Sequence, residues 1–204
     1  MLSLSPTPLI AILRGVKPDE AAAIASVVVE AGFGAVEVPL NSPDPFLSIE
    51  IIARAWGASI MVGAGTVLSP DEVDRAARAG ARLVVSPNAD PNVIERAVEA
   101  GLAALPGVAT PTEAFRALSL GASGIKLFPA EAMPPEIVKA WRSVLPKEAK
   151  LFPVGGITPE RIAPYRKAGV DGFGIGSALY RAGATAAEVK LAAKAFVAAW
   201  RDAG

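Results

Sequence analysis

Short runs of apolar residues alternate along the chain with alanine-rich amphipathic segments, and a glycine separates each helix-like segment from the run that follows. The glycines at these junctions are Gly32, Gly80, Gly101, Gly121 and Gly169. A glycine in this place is typical of a helix C-terminus, where the chain needs a left-handed residue. The apolar runs are too short for helices and rich in valine, isoleucine and leucine, which favours parallel strands buried on both faces.

Helix starts are marked by a proline followed by carboxylates. The marks are Lys17-Pro18-Asp19-Glu20, Ser69-Pro70-Asp71-Glu72, Thr110-Pro111-Thr112-Glu113 and Thr158-Pro159-Glu160. Proline is favoured at the first helical position, and carboxylates stabilise the first turn through the helix dipole. The pattern predicts eight strand–helix units, with strands near 9–14, 34–40, 60–65, 83–87, 103–106, 124–128, 150–154 and 172–176 and a final helix near 185–201.

Eight alternating units with short connections predict an α/β protein of the (β/α)8 TIM-barrel class. An open doubly wound sheet is the competing architecture, and it would carry a glycine-rich fingerprint after its first strand. Leu13-Arg14-Gly15-Val16 stands there instead, which favours the barrel. The chain has 204 residues and no break in composition, so we expect a single barrel domain over residues 1–204.

The chain contains neither cysteine nor histidine, and its 20 basic residues balance 20 acidic ones. Thiolate, disulfide and zinc-finger chemistry is therefore excluded, and any catalysis has to use carboxylates, lysine, tyrosine, hydroxyls or a hard cation. Balanced charge argues against a nucleic-acid partner, and no apolar stretch reaches the roughly 20 residues of a membrane span. Without a secretion signal we expect a cytoplasmic protein. The absence of glutamine and the 18 prolines are typical of proteins from thermophiles.

The active site of a barrel lies where its strands end, so polar residues there are candidates. Lys126 lies inside the run 124–128, where alternation puts Lys126 and Phe128 on one face and Ile125 and Leu127 on the other. Desolvation and nearby positive charge would lower the pKa of this lysine and provide a neutral, nucleophilic amine. The alternative is a structural lysine that reaches solvent or pairs with a carboxylate. Phe128 is either plain core or a wall over the amine.

Glu37 is a carboxylate inside the second apolar run. It is a candidate for the general acid/base role that histidine cannot fill here, or for a structural partner of Arg14 or Lys126. Thr66, after the third run, supplies a hydroxyl beside glycines that permit close approach to a substrate. A helix-capping threonine in a tight turn is the other interpretation of Thr66.

Two glycine-bearing loops, Gly155-Gly156 and Gly176-Ser177, follow the last two predicted strands. Barrel enzymes commonly bind phosphate at this place through bare backbone amides and a helix N-terminus. Ordinary tight turns would also use glycine. Together the two loops indicate a phosphorylated small-molecule ligand.

These residues resemble the class I aldolases of 2-keto-3-deoxy-6-phospho sugar acids, the KDPG/KHG aldolase family. The resemblance runs from Pro8 to about Ala199 and is carried by Glu37-Val38, Gly63-Ala64-Gly65-Thr66-Val67, Ser86-Pro87, Pro106-Gly107, Lys126-Leu127-Phe128-Pro129 and Gly155-Gly156. It implies that Lys126 forms a Schiff base and that Glu37 shuttles protons. The residues implied at the pyruvate end are Thr66, Pro87 and Phe128, and those implied around the phosphate are Gly155, Gly156, Gly176 and Ser177. The resemblance also implies a homotrimer that uses no metal and no cofactor.

Two positions depart from the gluconate-type members of that family. Many of them carry an arginine four residues after the catalytic glutamate to bind the substrate carboxylate, and Asn41 stands there instead, so we expect Arg14 to take that role. Val154 stands where they usually carry a threonine that meets the region of the C4 hydroxyl. The segments 11–15, 37–42 and 154–156 look like the galactonate branch, whereas 129–132 looks like the gluconate branch. The C4 configuration of the substrate therefore stays open.

The activity implied by the resemblance is retro-aldol cleavage of KDPG, or of its C4 epimer KDPGal, to pyruvate and glyceraldehyde 3-phosphate. The family also cleaves 4-hydroxy-2-oxoglutarate to pyruvate and glyoxylate. Two other functions stay open: a phosphate-binding isomerase or synthase that uses Lys126 only as a charge, and a non-catalytic phosphometabolite sensor. A lysine and a glutamate inside apolar strands weigh against the sensor, which has little need for a desolvated amine.

Overall fold

Parallel strands alternate with helices in the computed structural model, which describes residue 2 and residues 4–204. The strands are β1 (Thr7–Ile12), β2 (Phe33–Pro39), β3 (Met61–Gly65), β4 (Leu83–Val85), β5 (Ala103–Leu105), β6 (Gly107–Val108), β7 (Ile125–Leu127), β8 (Leu151–Pro153) and β9 (Phe173–Ile175). The helices are α1 (Pro18–Ala31), α2 (Pro45–Trp56), α3 (Pro70–Arg78), α4 (Pro91–Glu99), α5 (Pro111–Ser119), α6 (Pro135–Arg142), α7 (Pro159–Ala168) and α8 (Ala186–Asp202), with a short 3-10 helix at Ala130–Ala132. Within the described residues, no helix has both the length and the apolar character that a membrane span needs.

The strands form two parallel sheets. Six strands follow the order β5-β4-β3-β2-β1-β9, and the other three follow the order β6-β7-β8. Only Pro106 separates β5 from β6, and a parallel bridge joins Val154, next to β8, to Gly174 of β9. The last strand thus lies beside the first, and the order follows the chain without the reversal that defines a doubly wound sheet. This strand order weighs against the open doubly wound alternative.

All eight predicted strands are present, and their ends lie within two residues of the predicted positions. The first strand ends at Ile12 rather than near residue 14, so Arg14 lies in the loop after β1 instead of at the end of the strand. The predicted run 103–106 is part of a longer extended segment that Pro106 interrupts, because proline has no N–H to donate to a neighbouring strand.

The predicted helix boundaries are confirmed. Pro18, Pro70, Pro111 and Pro159 each begin a helix, and the five junction glycines adopt left-handed φ values between 73° and 110°. At α3 the Ser69 hydroxyl accepts a hydrogen bond from the Glu72 N–H at 3.3 Å, and the Glu72 carboxylate accepts one from the Ser69 N–H at 3.2 Å. Such reciprocal capping contributes about 1 kcal/mol to a helix start.

Alternation along the strands divides the core into two clusters. Ile125 and Leu127 belong to the large cluster between strands and helices, as predicted. A smaller cluster lies on the opposite face of the strands; its members include Leu2, Ile10, Ala35, Leu83, Leu105 and Phe152. Glu37 lies two residues beyond Ala35 on the same face of β2, towards the carboxyl end of the strand. The apolar filling therefore gives way to ionisable side chains at that end.

Candidate active site

Lys126 lies at the centre of β7 with its side chain turned inward. Its neighbours in register are Gly107 on β6 and Phe152 on β8. The residue is only 7% exposed, and its Nζ lies 4.5 Å from the centre of the Phe128 ring. Phe128 itself is 36% exposed. Of the two interpretations of Phe128, the structure supports the wall over the amine and not the plain core residue.

The surroundings of Lys126 favour the neutral amine. Burial lowers the pKa of Lys126, the Glu37 carboxylate opposes this effect, and the positive charge of Arg14 adds to it. An amine at its ordinary pKa is almost fully protonated at neutral pH and cannot attack a carbonyl. The lowered pKa therefore increases the fraction of Lys126 that is able to act as a nucleophile.

Glu37 is the acidic counterpart on β2. It is 2% exposed, and among the described residues no hydrogen-bond donor reaches its Oε2 atom. Burial raises the pKa of this carboxyl to about 7, against the opposing effects of the Lys126 and Arg14 charges. A carboxyl that titrates near neutral pH is able both to accept and to donate a proton during a reaction.

Arg14 is held by two side chains from neighbouring loops. Its Nη1 donates a hydrogen bond to Asn41 Oδ1 at 2.5 Å, and its Nη2 donates one to Thr66 Oγ1 at 3.4 Å. Asn41 stands where many gluconate-type members carry a carboxylate-binding arginine. It contacts Arg14, the residue expected to bind the substrate carboxylate in this chain. Because a guanidinium has five donors in a planar fork, Arg14 retains donors for a carboxylate after these two contacts.

Thr66 is strained. Its φ is 56°, in the left-handed region that a β-branched residue rarely adopts. Strain of this kind costs about 1–3 kcal/mol and is concentrated at functional sites. The strained loop keeps the Thr66 hydroxyl beside Arg14, which is a different role from capping a helix; Ser69 is the residue that caps α3.

Pro87 lies in the loop after β4. An added Cβ at Gly107 would lie 2.4 Å from the Pro87 carbonyl oxygen, so the two backbones are in close contact. Gly107 is the residue paired with Lys126 on the adjacent strand. Pro87 therefore contacts the residue that is paired with Lys126.

A cavity of about 490 Å³ lies among the residues that follow β1, β8 and β9. The predicted residues that line it are Arg14, Val154, Gly155, Gly156, Gly176 and Ser177. Lys126, Glu37 and Thr66 are not part of its wall. Arg14 links the cavity to the two candidate catalytic residues. It lines the cavity, and its positive charge lowers the pKa values of both Glu37 and Lys126.

Further polar residues in the cavity were not expected from the sequence. Arg181 lines it, and its Nε donates a hydrogen bond to the Ser177 carbonyl oxygen at 3.1 Å. Tyr180 also lines it and donates a hydrogen bond from its hydroxyl to Glu20 at 2.8 Å. The position of Arg181, four residues beyond Ser177 and before the last helix, is the one sequence signal that could have indicated it.

The loop Gly155-Gly156 has left-handed φ values of 109° and 58°. Behind it, Arg161 Nη1 donates a hydrogen bond to the Gly156 carbonyl oxygen at 2.7 Å. This contact turns the carbonyl towards Arg161, and the loop leads directly into the N-terminus of α7, where backbone N–H groups favour anions.

Within residue 2 and residues 4–204, no group of three or more histidine, cysteine, aspartate or glutamate side chains is arranged to hold a metal ion.

Comparison with known proteins gives a consistent result. The family model described as KDPG and KHG aldolase matches residues 3–194. The chain is 51% identical over 196 residues to the 2-dehydro-3-deoxy-6-phosphogalactonate aldolase of Escherichia coli (strain K12), covering 96% of each chain. It is 48% identical over 193 residues to a probable 2-dehydro-3-deoxy-6-phosphogalactonate aldolase of Rhizobium meliloti (strain 1021), covering 95% of this chain and 91% of the relative. A solved structure described as native KDPGal superposes with a TM-score of 0.97 at 50% identity, covering 100% of this chain and 98% of the other.

Proposed function

Because this chain belongs to the KDPG and KHG aldolase family, we propose that it is a class I aldolase that cleaves a 2-keto-3-deoxy-6-phospho sugar acid to pyruvate and glyceraldehyde 3-phosphate. The observation that carries the proposal is the pair of buried, mutually interacting groups Lys126 and Glu37, whose pKa values are shifted towards neutrality from opposite sides. Opposite shifts of two neighbouring groups are typical of acid–base and covalent catalysis.

The reaction begins at Lys126. Its neutral Nζ attacks the C2 ketone, and loss of water gives a protonated imine that can accept an electron pair. Glu37 removes the proton of the C4 hydroxyl, the C3–C4 bond breaks, and its electrons pass into the imine to form an enamine. Glyceraldehyde 3-phosphate leaves, C3 takes back a proton, and hydrolysis of the imine releases pyruvate and the free amine.

The other residues position the substrate. Arg14, held by Asn41 and Thr66, is the proposed partner of the substrate carboxylate. Pro87 and Phe128 are the proposed walls of the pyruvate end. Gly155, Gly156, Gly176 and Ser177, with Arg181, are the proposed phosphate partners. Phosphate binding far from C2 would hold C4 in place, so that binding energy contributes to orientation.

The galactonate configuration is the better candidate for C4. Two relatives that cover nearly the whole chain are named as phosphogalactonate aldolases, one of them as probable. Val154, which is 6% exposed and lines the cavity, is the residue proposed to meet the C4 region. An apolar side chain there offers no hydrogen bond to a hydroxyl of either configuration, so the choice depends on the space it leaves.

We also propose that residues 1–204 form one closed (β/α)8 barrel domain. The proline interruption between β5 and β6 and the bridge between Val154 and Gly174 are the two places where the sheets meet, and both support closure. The homotrimer is likewise a proposal and rests on the family resemblance alone.

The test is to trap the imine. The protein is incubated with pyruvate and borohydride, and its intact mass and peptide map are measured. We expect one reduced pyruvate on the peptide that carries Lys126, none in the Lys126→Met variant, and faster cleavage of KDPGal than of KDPG or 4-hydroxy-2-oxoglutarate. A folded protein without an adduct would contradict the aldolase and favour a phosphate-binding isomerase or synthase. Ligand-dependent stabilisation without any product would favour a sensor.

A further inference from the structure

The carboxyl group of Glu37 lies directly against the backbone of Gly65. The two residues are on the adjacent parallel strands β2 and β3, where Gly65 is paired with Pro39. A Cβ added to Gly65 would lie 1.8 Å from Glu37 Oε2, 2.4 Å from its Cδ and 2.6 Å from its Oε1. All three carboxyl atoms therefore occupy space that any other side chain at position 65 would need.

Backbone conformation does not explain this glycine. Gly155 and Gly156 have left-handed φ values, whereas Gly65 is part of a regular strand and its φ lies outside the left-handed region. Any residue could adopt its backbone conformation. The reason for a glycine at position 65 is therefore steric: the Glu37 carboxyl occupies the space that a side chain would need.

Packing limits where the Glu37 carboxyl can lie. Its Oε2 receives no hydrogen bond from the described residues, and the side chain is 2% exposed. Since no hydrogen bond from the described residues anchors this oxygen, the shape of the surrounding strands limits where it can lie, together with the charges of Lys126 and Arg14. The position that a Cβ of residue 65 would take lies within 2.6 Å of both Glu37 carboxyl oxygens, so the missing side chain leaves the room that the carboxyl occupies.

We propose that Gly65 is a positioning residue for Glu37: the missing side chain creates the recess that holds the carboxyl where it meets the C4 hydroxyl of the substrate. The proposal rests on the function proposed above for Glu37. A methyl group at position 65 would displace the carboxyl by about 1 Å, because real Cβ atoms do not approach another atom closer than about 3 Å. Displacements of this size at a catalytic group can cost about 100-fold in rate.

The Gly65→Ala variant separates the two half-reactions. Imine formation depends on Lys126, so pyruvate trapping by borohydride should stay near the wild-type level. Cleavage of the six-carbon substrate depends on Glu37, so its kcat should fall by about 100-fold. The pH profile of kcat should shift as well, because the displaced carboxyl has a different environment. Wild-type cleavage with an unchanged pH profile would overturn the proposal.

Shortening Glu37 supplies the rescue experiment. Asp has one methylene fewer, so in Glu37→Asp the carboxyl is drawn back from position 65. The double variant Gly65→Ala/Glu37→Asp should then cleave at least as fast as Glu37→Asp alone, so that the two losses do not multiply. Multiplying losses would show that the alanine acts elsewhere and would overturn the proposal.

Gly63 provides a matched control on the same strand. A Cβ there would meet the Leu83 carbonyl oxygen at 2.7 Å and the Leu83 Cβ at 2.9 Å, and no Glu37 atom is among its closest neighbours. We expect Gly63→Ala to lose stability without any rescue by Glu37→Asp. Equal rescue of both alanine variants would contradict a specific role of Gly65.

A second double variant keeps the test decisive if Gly65→Ala does not fold. If Gly65→Ala alone does not fold, Gly65→Ala/Glu37→Ala should fold, because the carboxyl that the methyl would strike is gone. Failure of this double variant, with Glu37→Ala folded, would overturn the proposal. Absence of pyruvate trapping in the wild-type protein would instead contradict the aldolase function itself, which keeps the two failures distinct.

Discussion

Replacing Glu37 by glutamine removes a buried negative charge, and this charge lowers the free energy of unfolding whenever the carboxyl is ionised. Gln is nearly isosteric with Glu and does not ionise, so the recess at Gly65 is filled in the same way. Retro-aldol cleavage should slow strongly, because the amide cannot take the C4 hydroxyl proton. The free energy of unfolding should rise at neutral and alkaline pH, which is the usual relation between a strained catalytic group and stability.

The magnitude follows from the pKa of Glu37. Its ordinary value is 4.5 and its value in the folded protein is about 7. Between these two values the folded protein holds a proton that the unfolded chain has released, so stability falls as the pH rises through this range. The gap corresponds to about 3 kcal/mol. We therefore expect no difference between wild type and Glu37→Gln below about pH 4, and a variant more stable by about 3 kcal/mol above about pH 8.

Urea unfolding followed by tryptophan fluorescence, at the acidic and at the alkaline pH, measures this difference. A gain of 3 kcal/mol corresponds to a rise of about 6–12 °C in Tm for a chain of this length. The same comparison in a Lys126→Met background is the control: the Lys126 charge lowers the pKa of Glu37, so its removal should enlarge the gain. A stability difference that does not depend on pH would refute the assignment of the cost to the buried carboxylate.

Two further substitutions test the substrate-binding groups. Thr66→Gly removes a left-handed β-branched residue (φ 56°) and should raise the free energy of unfolding by up to about 1 kcal/mol in urea titrations, while KM rises because Arg14 loses a hydrogen-bond partner. A lower free energy of unfolding for Thr66→Gly would contradict backbone strain at Thr66. Arg181→Gln should lower kcat/KM for the phosphorylated substrate about 10-fold or more and leave that for 4-hydroxy-2-oxoglutarate unchanged, with the exposed Arg54→Gln as the matched control. Equal losses on both substrates would show that Arg181 does not recognise phosphate.

The local pattern of the sequence was sufficient to predict the elements of this fold. Proline and carboxylate at helix starts, glycine at helix ends and short apolar runs act over a few residues, and each of these features is present where it was expected. The same is true of the inward face of β7. Alternation alone separated Lys126 from Ile125 and Leu127, because successive side chains of a strand point to opposite faces.

The pattern was less informative where neighbouring segments determine the outcome. The predicted first strand ends two residues too late, because Leu13 continues the apolar run although the strand has already ended at Ile12. The split at Pro106 and the bridge between Val154 and Gly174 depend on which strands lie side by side. Periodicity within a single segment carries no information about its partner.

The chemistry divides in the same way. The sequence by itself determined which groups were available, a lysine and a glutamate in apolar strands and glycine loops after the last two strands, because residue type and alternation are local properties. Only the tertiary structure decided how these groups are arranged: the recess at Gly65 that receives Glu37, the grip of Asn41 and Thr66 on Arg14, and the position of Arg181 at the cavity. These contacts join residues on different strands and loops, and their distances and the burial that shifts the pKa values arise only when parallel strands pack in register.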